Sequence, residues 1–242
     1  DATPGARSDN VLIRRASLCP TRQAAERATR YVDVDVEELP FVTHQDEAGE
    51  PDAPLVHDEW AGNDCGEWQL VHGDAEQAMK TAAVVDTRTY HSPTANHAAL
   101  EPHVATASWD DDALEIWTGT QAPYEVRKRL SGIFGLDPER IRIRVDNIGG
   151  GFGSKLDLKL EGMAAVCARA VGRPARMELR RDEVFVTAAK HSATVTVTTG
   201  ADAEGRLVAR IIDVVYNGGA YALSTPRSIR SGMIRSPGPY TI

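Results

Sequence analysis

Apolar and polar residues alternate, or recur at helical spacing, along most of the chain, and this pattern predicts its secondary structure. In the first region, Val11 and Ile13 alternate with polar neighbours and predict a strand. Thr21 stands where its side chain can cap a helix over residues 23–31. Valines at every second position then predict a half-buried strand over residues 32–36. The order of elements in this region is therefore strand, helix, strand.

The rest of the chain alternates between strand and helix patterns. Alternation predicts strands over residues 84–90, 104–109, 114–117, 141–145, 175–179, 191–199 and 207–217. Thr120 and Pro123 mark the start of a helix that Gly135 ends. Its expected buried face comprises Val126, Leu130, Ile133 and Phe134. A second apolar helix face runs from Leu160 to Val171, and residues 182–185 predict a short helical turn. Residues 45–60 are acidic and contain proline, which indicates a solvated linker. The pattern predicts a mixed α+β fold.

One segment, residues 148–155, contains Phe152 and four glycines, and we call it the glycine loop. Each ordered glycine costs roughly 0.5–1 kcal/mol relative to alanine, so such a run is retained where the backbone needs positive φ or a close approach. Because a strand is predicted before the loop and a helix after it, its N–H groups are expected at a helix N-terminus. This position favours an anionic or oxo ligand.

The glycine loop does not match either common nucleotide-binding pattern. A phosphate-binding Walker loop needs lysine directly after glycine, but Ser154 lies between Gly153 and Lys155. A dinucleotide fingerprint needs a third glycine where this chain has Ser154. A tight turn without a ligand is the remaining alternative, although such a turn needs fewer glycines and no phenylalanine.

Composition narrows the possible functions. The 242 residues carry a net charge of −8, which argues against a nucleic-acid groove because phosphate binding needs a basic surface. No apolar run has the length of a membrane span. The three cysteines are widely spaced and odd in number, which indicates neither a disulfide framework nor a zinc site. Cytoplasmic residence is therefore expected. His91, His97 and His103 lie six residues apart, too far along a strand for a shared metal.

The glycine loop resembles the glycine-phenylalanine loop of the molybdenum-binding large subunit in the xanthine dehydrogenase, aldehyde oxidase and aerobic carbon monoxide dehydrogenase family. Ser154 departs from the family, where glycine is commoner at this position. Further segments resemble the family in the same order along the chain: residues 32–40, 96–103, 120–123, 172–174, 181–183 and 217–221. The resemblance therefore covers nearly the whole sequence.

The resemblance implies a particular domain organisation. Residues 1–54 would form part of an α/β-hammerhead domain, and residues 55–72 a connector. Residues 73–242 would form the N-terminal part of a molybdenum-cofactor-binding domain of mixed sheets and helices. The family's other cofactor loops and its base glutamate lie beyond the position that corresponds to Ile242. The chain is therefore expected to be a fragment or a processed subunit, without a catalytic base of its own.

The resemblance also implies a molybdopterin-type molybdenum cofactor and the residues that contact it. Gln121 would donate its side-chain amide to a molybdenum oxo ligand, and Phe152 would pack near the metal. Gly150, Gly151 and Gly153 would let backbone amides close on the cofactor. Without the resemblance, Gln121 would be interpreted as a helix-start residue that bonds its own backbone, and Phe152 as a plug in the core.

Two functional hypotheses follow. In the first, the chain belongs to an enzyme that hydroxylates an aldehyde, purine or N-heteroaromatic with water-derived oxygen, or that oxidises carbon monoxide. This hypothesis implies [2Fe–2S] clusters and FAD on partner subunits or domains, the remainder of the large subunit, a small-molecule substrate and an oligomer. Neither nucleic acid nor a membrane is an expected partner. The alternative is a non-catalytic scaffold or assembly domain that keeps the fold without the cofactor.

Overall fold

The computed structural model of the chain describes residues 19–58, 60, 62–187, 189–221, 225–240 and 242. The strand expected at Val11 and Ile13 lies outside the described residues. The chain divides into two compact units. The described part of the first unit lies within residues 37–95 and 191–242, and that of the second within residues 19–36 and 96–190.

Seven strands and seven helices make up the regular structure of the described residues. The strands β1–β7 are Val84–Ser92, Val104–Asp110, Ala113–Thr118, Ile141–Arg144, Ala175–Glu178, Ser192–Ala201 and Leu207–Asn217. The helices α1–α7 are Arg22–Ala28, Gln45–Ala48, Ala75–Thr81, Pro123–Phe134, Glu161–Val171, Arg181–Thr187 and Thr225–Arg235. Short 3₁₀ helices cover Thr29–Tyr31 and Pro138–Arg140. None of the helices in the described ranges combines the length and the apolar character that a membrane span requires.

The first unit is built on an antiparallel sheet in the order β1-β6-β7. Strands β6 and β7 form the hairpin that alternation predicts on both sides of a glycine-containing turn. Threonines pair across β1 and β6, with a distance of 3.0 Å between the side-chain oxygens of Thr87 and Thr198. Helix α3 packs close to this sheet, because a Cβ at Gly200 would lie 2.8 Å from the Met79 sulfur.

The second unit contains a sheet in the order β4-β3-β2-β5, in which only the β3–β4 pair is parallel. Helix α5 contacts β2 and β5, and helix α4 contacts β4. Three fully buried or nearly fully buried alanines let α5 lie close to the sheet: Ala164, Ala165 and Ala168. Leu114 and Ile116 of β3, with Val126 and Leu130 of α4, are the largest fully buried apolar side chains of this core. This core supports the segments that carry the candidate site.

Helix α4 differs from its prediction in its cap and in its buried face. Gly135 ends the helix at φ 65°, as predicted. However, Ala122 occupies the N-cap, and the Thr120 hydroxyl accepts the Ala122 N–H from two residues earlier. Ile133 is 58% exposed, so its assignment to the buried face is wrong. Phe134 turns inward and meets Trp109 edge-on at 5.3 Å between ring centroids.

Two predictions for the first 60 residues are also wrong. Residues 32–36 are not a strand, because none of the described strands pairs with them and a strand needs a hydrogen-bonded neighbour. The expected linker over residues 45–60 is folded rather than simply solvated. It contains α2, and the buried ring of His57 lies 3.2 Å from the Ala220 carbonyl oxygen. The side-chain amide of Asn63 bonds carbonyls of Ala48 and Pro54.

Candidate functional site

The glycine loop lies between β4 and α5, but it does not run directly into a helix. Strand β4 ends at Arg144 and α5 begins at Glu161, six residues after Lys155. The loop itself turns at residues 152–155, where the N–H of Ser154 donates to the Gly151 carbonyl at 2.9 Å, and residues 156–160 form no regular structure. The expectation that the loop amides lie at the N-terminus of the following helix is therefore wrong.

The loop folds instead onto the segment that precedes α4. The side-chain oxygen of Gln121 accepts the N–H groups of Gly153 at 3.0 Å and Lys155 at 3.4 Å. In return, the Lys155 carbonyl accepts the Gln121 N–H at 2.9 Å and the Thr120 hydroxyl at 3.0 Å. Gln121 therefore bonds the backbone of the glycine loop and not that of its own helix start.

These bonds fix the orientation of the Gln121 amide. Because two N–H donors hold the oxygen, the NH₂ group is the other end of the amide. This NH₂ group has no hydrogen-bond partner in the described part of the chain, and the residue is exposed. Gly151 supports the same arrangement, since a Cβ there would collide with the Gln121 amide. The side chain therefore offers two unused donors without adding charge.

The loop itself presents an exposed aromatic ring and unused backbone donors. Phe152 is 74% exposed and has φ 54°, so it is not the core plug that its residue type suggests. A bulky side chain at positive φ is a strained conformation of the kind found at functional sites. Among the described residues, the N–H groups of Gly150, Gly151 and Phe152 donate no hydrogen bond. Three consecutive unused donors fit a ligand with acceptor oxygens.

An ion pair between a buried lysine and a half-buried glutamate lies beneath the loop. The ammonium group of Lys155 contacts the carboxylate of Glu101, and the Lys155 side chain is 1% exposed. Burial opposes ionisation of Glu101, but hydrogen bonds from Lys155 and from the Gly149 N–H outweigh it and hold the pKa of this carboxyl below its ordinary value. Arg181 donates to the carbonyls of Ala99 and Leu100 and so holds the segment that leads to Glu101.

His103 is a second buried ionisable group under the loop. Its Nε2 donates to the Ser154 carbonyl at 3.2 Å, while the buried Nδ1 has no partner among the described residues. Burial is the main cause that lowers the pKa of His103. The hydrogen bond to the Ser154 carbonyl raises this pKa, whereas the positive charges of Lys159 and Lys155 lower it further. His103 is therefore expected to be neutral in the folded protein.

This environment predicts a pH dependence of stability. Near its ordinary pKa of about 6.5 the unfolded chain takes up a proton at His103, whereas the folded chain resists it. The free energy of unfolding should therefore fall as the pH drops below about 6.5, with a slope of at most about 1.4 kcal/mol per pH unit for one proton. Burial and Lys159 also lower the pKa of His97, which adds a change of the same sign.

The variant His103→Gln tests this dependence, because glutamine can donate to the Ser154 carbonyl without titrating. Urea unfolding of both proteins between pH 5 and pH 8 should show a shallower loss of stability for the variant on the acidic side. Equal pH slopes for the two proteins would contradict a neutral, pKa-lowered His103.

The sequence alone does not indicate which residues support the site. Glu101 and Lys155 both lie in segments that resemble the family, but their pairing joins positions 54 residues apart and has no local signal. Among the sequence-predicted site residues, the structure bonds Gln121 to Gly153 and places Gly151 against it. Gly150 has φ 91° and its Cβ position lies 3.1 Å from the Phe152 ring, so these two residues also lie together.

Comparison with known proteins agrees with this fold. The family model described as molybdopterin cofactor-binding domain matches residues 56–242. A relative from Bacillus subtilis (strain 168), named as a subunit of a probable xanthine dehydrogenase, is 31% identical over 229 residues, which cover 94% of this chain and 30% of that protein. The chain thus spans less than a third of the length of this relative.

Solved structures show the same fold. Quinoline 2-oxidoreductase from Pseudomonas putida 86 matches with a TM-score of 0.76 and 29% identity, covering 83% of this chain and 26% of that chain. Aldehyde oxidoreductase from Desulfovibrio gigas matches with a TM-score of 0.76 and 26% identity, covering 81% of this chain and 22% of that chain. With a family model that matches most of its length, the chain belongs to the family of molybdopterin cofactor-binding domains.

Proposed function

We propose that the chain is part of the large subunit of a molybdenum-dependent oxidoreductase that hydroxylates a small molecule with water-derived oxygen. The observation that carries this proposal is the Gln121 amide, whose oxygen is held by the glycine loop and whose donors are unused. The names of the relatives support the reaction class, since they include a xanthine dehydrogenase, a quinoline oxidoreductase and an aldehyde oxidoreductase. The proposed substrates are accordingly an aldehyde, a purine or an N-heteroaromatic, with carbon monoxide as the further possibility within the family.

The residues around the glycine loop fit a molybdopterin cofactor. In the proposal, Gln121 would donate to an oxygen ligand of the metal, and the free N–H groups of Gly150 and Gly151 would donate to acceptor atoms of the cofactor. Phe152 provides an apolar surface next to it, and Gly153 keeps the loop close to Gln121. The bound cofactor supplies the redox chemistry. The protein residues supply orientation, hydrogen-bond donors and partial exclusion of water.

A neutral amide suits this position better than a charged donor. The NH₂ group of Gln121 donates without placing a further formal charge beside the metal. Its two bonds to the loop fix the amide before the cofactor binds, so orienting the donor costs little on binding. This is the form of preorganisation that makes a hydrogen bond effective in an active site.

Other parts of the proposed enzyme lie outside this chain. We propose that a catalytic base and further cofactor contacts come from the remainder of the large subunit. The [2Fe–2S] clusters and FAD on partner subunits or domains carry the electrons away, and the assembly is an oligomer. The hammerhead assignment of residues 1–54, the connector at 55–72 and cytoplasmic residence remain predictions.

Elemental and pterin analysis of the intact protein tests the proposal. We expect close to one molybdenum per copy in protein purified from cells grown with molybdate, together with a fluorescent pterin derivative after oxidative extraction. Cells grown with tungstate provide the control, because tungsten should replace molybdenum at the same ratio. A second molybdenum enzyme in the same cells shows whether the cofactor is available. If that enzyme is loaded while this protein contains neither molybdenum nor pterin, the proposal is contradicted.

A further inference from the structure

The ion pair of buried Lys155 with half-buried Glu101 is unusual for residues so close to an exposed loop. The Lys155 side chain is 1% exposed and that of Glu101 30% exposed. Burying an ammonium group costs several kcal/mol unless it is paired and hydrogen-bonded, and replacing such a pair by apolar residues is often neutral or stabilising. Fold stability alone therefore gives a weak reason for this pair.

The pair joins the two ends of the glycine loop. At the first end, the Gly149 N–H donates to the Glu101 carboxylate at 3.1 Å, and the Glu101 N–H donates to the Gly149 carbonyl at 3.0 Å. At the last end, the Lys155 ammonium contacts the same carboxylate. One carboxylate thus holds both ends of the loop and fixes their separation.

The Glu101 side chain lies in close contact with both the loop and the segment that leads to Gln121. A Cβ at Gly119 would lie 2.7 Å from a Glu101 carboxylate oxygen. A Cβ at Gly149 would lie 2.5 Å from the Glu101 Cβ. Because both neighbours are glycines, Glu101 contacts both backbones directly. Lys155 adds the third link, since its carbonyl accepts the Gln121 N–H and its N–H donates to the Gln121 side chain.

We propose that the Lys155–Glu101 pair is the positioning element of this site, which sets the shape of the glycine loop and thereby directs the Gln121 amide. Both residues act through their neighbours, Lys155 from a buried position and Glu101 from between two backbone segments. They are therefore positioning residues and not catalytic ones. The inference rests on the proposed function in one respect only, the identity of the ligand that the loop binds, which is a molybdopterin cofactor. The shape of the loop is a property of the protein itself.

Hydrogen exchange of the intact protein, prepared without the cofactor, tests the positioning role. In Lys155→Met, exchange of the hydrogen-bonded amides of Gly149 and Gly153 should accelerate by about tenfold or more, while exchange in the β6–β7 hairpin stays unchanged. Glu101→Gln should give a smaller acceleration, because glutamine keeps an acceptor for the Gly149 N–H. Lys128→Met is the matched control, since Lys128 is an exposed lysine of α4.

Metal content of the cofactor-loaded proteins gives the second readout. Both pair variants should retain less molybdenum than the wild type, with a greater loss in Lys155→Met, and the control should retain all of it. Unchanged exchange of the loop amides in a folded Lys155→Met would overturn the proposal. Failure of both pair variants to fold would also overturn it, because the pair would then hold the whole unit. Accelerated exchange combined with a wild type that contains no molybdenum would support the positioning role and contradict the proposed function.

Discussion

Replacing Gln121 with alanine is expected to lower turnover of the proposed enzyme by about a hundredfold or more, the scale seen when one preorganised hydrogen-bond donor is removed from an active site. Two causes contribute. Alanine removes the unused NH₂ donors, and it also removes the oxygen that holds the N–H groups of Gly153 and Lys155. Because Gln121 is exposed, the free energy of unfolding should change little. Steady-state turnover and urea unfolding of the same preparations measure both effects.

The variant Gln121→Glu separates the two causes. A glutamate keeps the oxygen acceptors for the loop and removes the donors, so the loop should retain its shape. The fall in turnover should then reflect the lost donors alone and be smaller than in Gln121→Ala, which also loses the loop contact. The mutation Gly132→Ala serves as the control, because Gly132 is exposed in α4 and, apart from its chain neighbours and the adjacent helix backbone, no atom lies within 4 Å of its Cβ position. It should leave turnover unchanged and stabilise the helix by about 0.5–1 kcal/mol. Full turnover in Gln121→Glu would contradict the donor role.

The largest effect on stability is expected for Leu130→Ala. Leu130 is fully buried in the core between α4 and the sheet of the second unit, and removing such a side chain costs about 2–5 kcal/mol. Ile133→Ala on the same helix is the matched control. Since Ile133 is 58% exposed, its loss should cost no more than about 0.5 kcal/mol.

Urea unfolding followed by circular dichroism distinguishes the two α4 variants. The midpoint should fall clearly for Leu130→Ala and hardly move for Ile133→Ala, with the slopes unchanged. Equal losses of stability would mean that α4 is rotated relative to the sheet, with Ile133 buried as its spacing in the sequence suggests.

Local patterns predicted much of the fold. Alternation identified β6 and β7, and Gly135 marked the end of α4, because both signals depend on neighbouring residues. The incorrect predictions concern features that depend on residues far away in the sequence. Residues 32–36 have the alternation of a strand but no paired neighbour among the described strands. Ile133 fits the helical repeat, yet the contact of Phe134 with Trp109 fixes which side of the helix end faces inward.

The candidate site shows the same division. Sequence motifs identify the glycine loop and Gln121. That these residues contact the cofactor stays a prediction. The bonds between them join residues 32 and 34 positions apart and could not be inferred from either segment alone. The buried position of Lys155 has no local signal either, because lysine is mostly exposed in folded proteins.

The glycines of this site have a consequence for protein engineering. Gly151 makes room for the Gln121 amide, whereas Gly149 and Gly119 make room for Glu101, so part of the glycine content accommodates the protein's own side chains. If the loop sequence alone were transplanted into another scaffold, these spaces would be empty, and the two ends of the loop would lack their bonds to Glu101. A functional graft has to carry three separated pieces of chain together: residues 99–101, 119–121 and 148–155.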